Sequence, residues 1–329
     1  MPAAGLRFAI LVGLPVLAIV PCLQAFAPPQ SSWQLGVKQA DDGNCPAAVQ
    51  TLTSSLASSP APPADPYVSL SDCQVAMKRP GDAEQTLRKG LSAHPASPAL
   101  ELALGELLTD TQPNSMEAGQ LLEHVVRVTP RDFEARHSYA RWAHTNLRER
   151  ICEAQEKAAL LLPGLDDDSL MPMNTLLGIC AGRVEDAEEA RAAFRRANVI
   201  NLRQKTYDPE TAWEFVEFLQ RYGDDAELQS IVGEILEHVP GFGPARLERA
   251  KYFDREGQPD KAAEAAQQAL QSAGNDANDE WAAHGILARS FTALGQTANA
   301  SREQAWLDAH PDPSTPIQFI PGASPPSNK

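Results

Sequence analysis

The sequence predicts an all-α protein, a solenoid of about eight helix-turn-helix repeats, on three observations. Small residues recur every 34 to 38 positions inside a first helix, at Gly36, Ser71, Gly105, Ala140, Gly178, Val216 (the one bulky member), Ala250 and Ala288. Twelve or thirteen residues later a second packed face opens, at Ala48, Ala83, Ala118, Cys152, Ala190, Leu228, Ala262 and Ala300. A helix breaker follows most of these second faces, at Pro60, Pro95, Pro130, Pro163, Pro240, Gly274 and Pro311. Self-similarity at a fixed period of this length marks a stacked array, because no single helix pair can bury its own apolar face.

Composition agrees and sets limits. The chain has 329 residues and a net charge of −15, with aromatic residues at only 6%. Abundant Ala and Leu favour closely packed helices over sheets. The acidic balance argues against a nucleic-acid binder, which needs a basic face. A polytopic membrane protein and a disulfide-dense miniprotein are also excluded.

Residues 1–27 read as a signal peptide or an N-terminal anchor. Arg7 precedes a charge-free run from Phe8 to Leu23, and Ala25-Phe26-Ala27 has the form of a cleavage site. The run is shorter than the roughly 18 to 20 residues of a spanning helix, and Pro15 and Pro21 disturb it further. Pro28 directly after Ala27 hinders cleavage, so an uncleaved anchor stands beside the cleaved signal. Cys22 as a lipidation site fits less well, because Ile19-Val20-Pro21 lacks small residues. Each alternative exports the chain, to the periplasm or beyond.

Residues 28–311 carry the repeats. In the first unit Leu35-Gly36 is followed by the turn Asp42-Gly43 and a stripe of Ala48, Leu52 and Leu56. The second and third units repeat this stripe with Leu87 and Leu91, then Leu122 and Val126. Cys152 opens the second face of the fourth unit, and Ala190, Phe194 and Ala197 form that of the fifth. The sixth has Leu228, Val232 and Leu236 after Tyr222-Gly223-Asp224. The seventh has Ala262, Ala266 and Leu270 after Glu256-Gly257-Gln258, and the eighth turns at Leu294-Gly295-Gln296. Apolar residues spaced i, i+4, i+7 or i+8 make one stripe on a helix. Residues 312–329 contain five prolines and little to bury, so they are expected to be disordered or extended, with Ile317, Phe319 and Ile320 available as a cap.

The chain resembles the tetratricopeptide repeat family. The resemblance rests on Leu35-Gly36 with Ala48, Leu52 and Pro60; on Leu177-Gly178 with Ala190, Phe194 and Ala197; and on Ala250 with Phe253, Gly257, Ala262, Ala266 and Ala269-Leu270. Departures are the bulky Val216 and Leu228, Glu156 in place of an aromatic, and three spacings of 38. The resemblance implies a right-handed superhelix whose first helices line a concave groove, where ligand peptides usually lie.

Four cysteines fall within the repeats as two pairs, each 28 residues apart. Cys45–Cys73 and Cys152–Cys180 each join the second helix of one unit to the first of the next. An even number of thiols in an exported chain points to two disulfides, with four buried reduced thiols as the competing reading.

The sequence holds no H-E-x-x-H, G-x-S-x-G, phosphate-loop or dinucleotide motif, so neither enzyme activity nor a cofactor nor a metal is expected. His137 and His144, with Glu134 nearby, read as solvated groove residues. Asp166-Asp167-Asp168 reads as the loop that starts a helix, and Gly241-Phe242-Gly243-Pro244 as a turn between repeats. Trp142, Trp213, Trp281 and Trp306 read as packing aromatics.

The residues one and five places after each small residue are expected to face the groove. The N-terminal units offer Asp41, Asp72, Glu106 and Asp110 there. From the fourth unit onward the same positions hold six bases against one acid, Glu217. Arg141, Arg183, Arg221, Lys251, Arg255 and Arg289 are thus the candidate receptors for an acidic peptide segment or a chain-terminal carboxylate, with Trp213 as an apolar anchor. The competing reading is a solvated face whose arginines pair with acids on neighbouring helices. The function expected is a non-enzymatic scaffold outside the cytoplasm that binds an acidic protein or peptide. An accessory subunit of an exported enzyme, or a groove binder of a small molecule or glycan, are the alternatives. No nucleic acid is expected as partner, and a membrane only through the N-terminal anchor.

Overall fold

The computed structural model describes residues 32–59, 62–272 and 277–313. The N-terminal segment with Cys22, the breakers Pro60 and Gly274, and Ile317, Phe319 and Ile320 of the tail lie outside the described residues. Among the described residues there are sixteen α-helices and no strand. They alternate as eight hairpins: α1 (Ser32–Asp41) with α2 (Cys45–Ser58), α3 (Asp65–Ala76) with α4 (Pro80–Ala93), α5 (Pro98–Thr111) with α6 (Met116–Val128), and α7 (Phe133–Thr145) with α8 (Glu149–Ala159). The second half continues with α9 (Asp167–Arg183) and α10 (Ala187–Asn201), α11 (Pro209–Tyr222) and α12 (Asp225–His238), α13 (Gly243–Arg255) and α14 (Pro259–Leu270), and α15 (Ala277–Ala293) and α16 (Thr297–Ala309). None of these helices is long and apolar enough to cross a membrane.

Local chemistry sets the hairpins. Seven residues after the small residue, the chain enters the left-handed region in seven of the eight units, with φ from 57° to 76°. Gly43, Gly223, Gly257 and Gly295 take this conformation without strain; Lys78, Leu147 and Glu185 occupy it with a side chain. The next residue caps the second helix in three of these units, where Asn44, Asp186 and Asp224 accept from backbone N–H groups of the first turn, and Ser115 caps α6 in the same way. Asp166 likewise caps α9 by accepting from the Ser169 N–H, so the acidic run starts a helix as expected.

Each helix packs against the one before and the one after it. First helices of successive units also touch, as in α1–α3, α5–α7, α9–α11 and α13–α15, whereas second helices make no comparable contact among the described residues. First helices therefore occupy the inside of the curve. Every small-residue position is buried, and so is every second-helix marker except Ala300. Ala300 lies on α16, which has no buried residue because no further described helix covers it.

Close approach demands the small residues. A Cβ on Gly178 would sit 2.8 Å from the Phe194 ring, and one on Gly36 only 2.6 Å from Leu52. Gly178→Leu should therefore lower stability by about 1–3 kcal/mol through overpacking, as read from urea unfolding midpoints. An unchanged midpoint would mean that α9 and α10 are not in this contact.

Both disulfides form with the pairing expected from the spacing. Cys45 at the start of α2 bonds Cys73 on α3, and Cys152 on α8 bonds Cys180 on α9. Each ties one hairpin to the next.

Candidate functional site

Asp110, Arg183, Glu217, Arg221, Arg255, Arg289 and Ala293 are exposed along the first helices, and Arg141 and Lys251 are half-buried. The structure does not leave them as a free basic field, however. Arg141 donates to Asp110 at 2.7 Å, Arg183 to Glu149 at 2.8 Å, and Arg289 to Asp254 at 2.6 Å. Arg255 lies 3.5 Å from Asp225 and 3.7 Å from Glu248, and Lys251 3.8 Å from Glu248. Four of these five cations are held by an acid of the preceding unit, because stacking brings residues about one repeat apart side by side. Arg221 is different: among the described residues it has no ion pair and no hydrogen bond.

Arg221 stands at a cleft between α9 and α11 that is open to solvent. The lining is Gly178, Ile179, Gly182, Arg183, Phe194, Glu214, Glu217, Phe218, Arg221 and Tyr222. Gly178 and Gly182, one helical turn apart, let α9 pack directly on the rings of Phe194 and Phe218, which are buried; with Tyr222 they form the apolar floor. Phe194 and Phe218 have centroids 5.4 Å apart, Phe218 and Tyr222 4.5 Å, and the Tyr222 hydroxyl donates to the Gly182 carbonyl at 3.0 Å. Trp213 is not part of this lining; it packs edge-on against Phe242 and its indole N–H donates to Glu217 at 2.9 Å. Arg141, Lys251, Arg255 and Arg289 lie in other units, so the cleft brings together only Arg183 and Arg221 of the expected set. Tyr222, Glu214 and the Phe194–Phe218 floor were missed by sequence, because their positions are also those of ordinary packing residues.

Burial raises the Glu214 carboxyl above its ordinary range, and the nearby Glu217 adds to the rise. Desolvation does the same to Glu106, against the opposing effect of a short hydrogen bond that it accepts from Ser138 at 2.5 Å. Glu248, buried and bonded to Gln220, is raised by burial as well, against the opposing pull of Lys251 and Arg255.

The histidines correct an expectation. His137 and His144 are not solvated groove residues; each turns to a carboxylate of its own hairpin. His137 Nδ1 lies 2.6 Å from Glu156 Oε1, and His144 Nδ1 lies 3.0 Å from Glu149 Oε2. Glu156, which takes the place of an aromatic, is fully buried, and its Oε2 has no partner. Burial drives its carboxyl upward, against His137. A raised folded-state value means that the native state holds the proton more tightly than the unfolded chain. The associated stability is complete below the ordinary value of 4.5 and is lost as pH rises through the raised one. Wild type should therefore lose stability relative to Glu156→Gln as pH rises above 4.5, and match its trend in more acid solution. Urea midpoints across that range check this; parallel curves would refute it.

Trp142 is buried and donates to the Ser115 carbonyl, and Trp306 stacks between His284 and His310, so both act as packing aromatics. Trp281 is half-buried, and its indole N–H donates to the His310 carbonyl.

No protein-family model and no curated protein matches this sequence. Solved structures do. A tetratricopeptide repeat protein from Parabacteroides merdae aligns with a TM-score of 0.53 at 13% identity, over 78% of this chain and 99% of its own. The C-terminal part of a TPR repeat-containing protein from Cytophaga hutchinsonii aligns with a TM-score of 0.55 at 12% identity, over 76% and 98% respectively. The fold is thus that of a tetratricopeptide repeat solenoid, a right-handed stack of about eight helix pairs.

Proposed function

We propose that this chain is a non-enzymatic protein–protein interaction scaffold acting outside the cytoplasm, and that its groove receives an acidic partner at the α9–α11 cleft. Arg221 carries the proposal. Among the described residues it is an exposed guanidinium without an ion-pair or side-chain hydrogen-bond partner, in a cleft with Phe218 and Tyr222, on a molecule of net charge −15. A guanidinium in that setting offers paired hydrogen bonds to a carboxylate. Arg221 is a single unpaired cation among the described residues, which favours one chain-terminal carboxylate over a long acidic run. Glu214 and Glu217 on the rim disfavour a second acid. The signal or anchor at residues 1–27 supplies the route of export.

The test uses peptides with free and amidated C-termini ending in an apolar residue, titrated against wild type, Arg221→Glu and Arg289→Glu. The free acid should bind wild type and Arg289→Glu alike. Amidation or Arg221→Glu should weaken it at least about tenfold, some 1.4 kcal/mol. Equal binding by Arg221→Glu would remove the cleft from the reading. A partner captured equally by both variants would move recognition to another face.

A further inference from the structure

The junction of the fourth and fifth units assembles a second set of chemistry-bearing groups. His144, near the end of α7, has Nδ1 3.0 Å from Glu149 Oε2 and 3.7 Å from Cys180 Sγ. The donor atoms of these three residues all lie within 4.8 Å of one another. Cys152 adds a fourth, because it is bonded to Cys180 and stands three residues after Glu149 on the same face of α8. The four come from three consecutive helices, which holds them in a fixed relation.

A disulfide sulfur is a poor ligand; the thiolate is the form that binds metals. With the bond intact only His144 and Glu149 offer donors. With the bond reduced, the set becomes two thiolates, an imidazole and a carboxylate, which is a composition that selects zinc over hard cations. The spacing suits it. Tetrahedral bonds of about 2.0 Å to nitrogen or oxygen and 2.3 Å to sulfur place N and S about 3.5 Å apart, and N and O about 3.3 Å apart. The structure has 3.7 Å and 3.0 Å for these distances. The two sulfurs would need to separate to about 3.8 Å, and their Cα atoms, 6.1 Å apart, leave room for this by side-chain rotation.

The surroundings fit as well. Glu149 Oε1 accepts from Arg183 at 2.8 Å, which orients the carboxylate and leaves Oε2 for a metal. Both cysteines are fully buried, whereas the His144 side chain is 24% exposed and provides the way in from solvent.

We propose that reduction of Cys152–Cys180 converts this junction into a zinc site formed by His144, Glu149, Cys152 and Cys180. A dithiol reductant supplies two electrons and two protons and leaves as its own disulfide, so that two cysteine thiols are produced. Zinc then replaces the two thiol protons, which pass to solvent. The metal thereby joins α7, α8 and α9 in the reduced protein, where the disulfide joins α8 to α9 in the oxidised one. This inference does not depend on what occupies the α9–α11 cleft.

The experiment uses the full chain carrying Cys22→Ser, reduced by a phosphine, freed of reductant without air, and titrated with Co2+ and then Zn2+. Reduced protein should bind one Co2+ with a thiolate-to-cobalt charge-transfer band and the visible bands of a tetrahedral site, and Zn2+ should bleach both. The oxidised protein should show neither. His144→Ala and Glu149→Gln should each weaken Co2+ binding at least about tenfold, and Arg183→Ala about tenfold through the orientation of Glu149. The Cys152→Ser, Cys180→Ser variant keeps the other thiol pair and should lose the bands. Bands that persist in that variant, an unchanged Co2+ affinity in His144→Ala, or no band in reduced wild type, would overturn the proposal. Reduced protein that loses its helical circular dichroism and does not regain it with Zn2+ would overturn it too.

Discussion

Phe215→Ala should lower stability by about 3–5 kcal/mol, the range for truncating a large aromatic in a core. Phe215 on α11 is 1% exposed and stacks on Phe194 of α10 at 5.5 Å, with Phe218 at 6.3 Å. Phe194 in turn lies against Gly178 of α9, so one ring bridges the fifth and sixth units. Removing it leaves a void that backbone contacts on both sides prevent from closing. In a stacked array each unit is stabilised mainly by its neighbours, and the loss should be local. Amide exchange in α9 to α12 should speed up by roughly two to three orders of magnitude, since 1.4 kcal/mol is tenfold. The first two hairpins should change little. A shift below about 1.5 kcal/mol, or equal acceleration along the whole chain, would contradict this description of the interface.

Replacing both cysteines of one disulfide with alanine should cost about 3.5 kcal/mol by the chain-entropy argument for a 28-residue loop. Alanine avoids leaving an unpaired hydroxyl in a buried site. Both disulfides close loops of equal length, yet their consequences should differ. Cys152–Cys180 ties the fourth unit to the fifth, in the middle of the array, and its loss exposes interfaces in both directions. Cys45–Cys73 holds the first hairpin, which has a neighbour on only one side among the described residues. Its loss should fray α1 and α2 and leave the rest intact. Thermal unfolding with hydrogen-exchange mass spectrometry, without reductant, separates the two. Identical exchange maps would show that the array melts as one unit.

The register of the repeats was open to view in the sequence. The recurring small residues and all the second-helix markers but Ala300 are buried, and the expected turns take positive φ at Gly43, Gly223, Gly257 and Gly295. Such positions are legible because their constraints are local or periodic: a helix stripe repeats every 3.6 residues, and a left-handed turn favours glycine. Lys78, Leu147 and Glu185 were not legible as turn residues, because nothing in their side chains marks that conformation. The partners of charged groups were not legible either. The acids that hold Arg141, Arg183 and Arg289 lie 31, 34 and 35 residues away, on helices that only stacking brings near.

The sequence by itself therefore determined the helical architecture and the register of about eight repeats, and offered the two cysteine pairings beside a reduced alternative, since each follows from composition and spacing along the chain. Only the tertiary structure decided which cations are free and which groups meet. Among the described residues Arg221 alone remains unpaired of the six bases, at a cleft beside Phe218 and Tyr222. His144 meets Glu149 and Cys180 rather than the groove. Both outcomes depend on side-chain distances between successive hairpins, which are set by superhelical stacking and leave no mark in any single repeat.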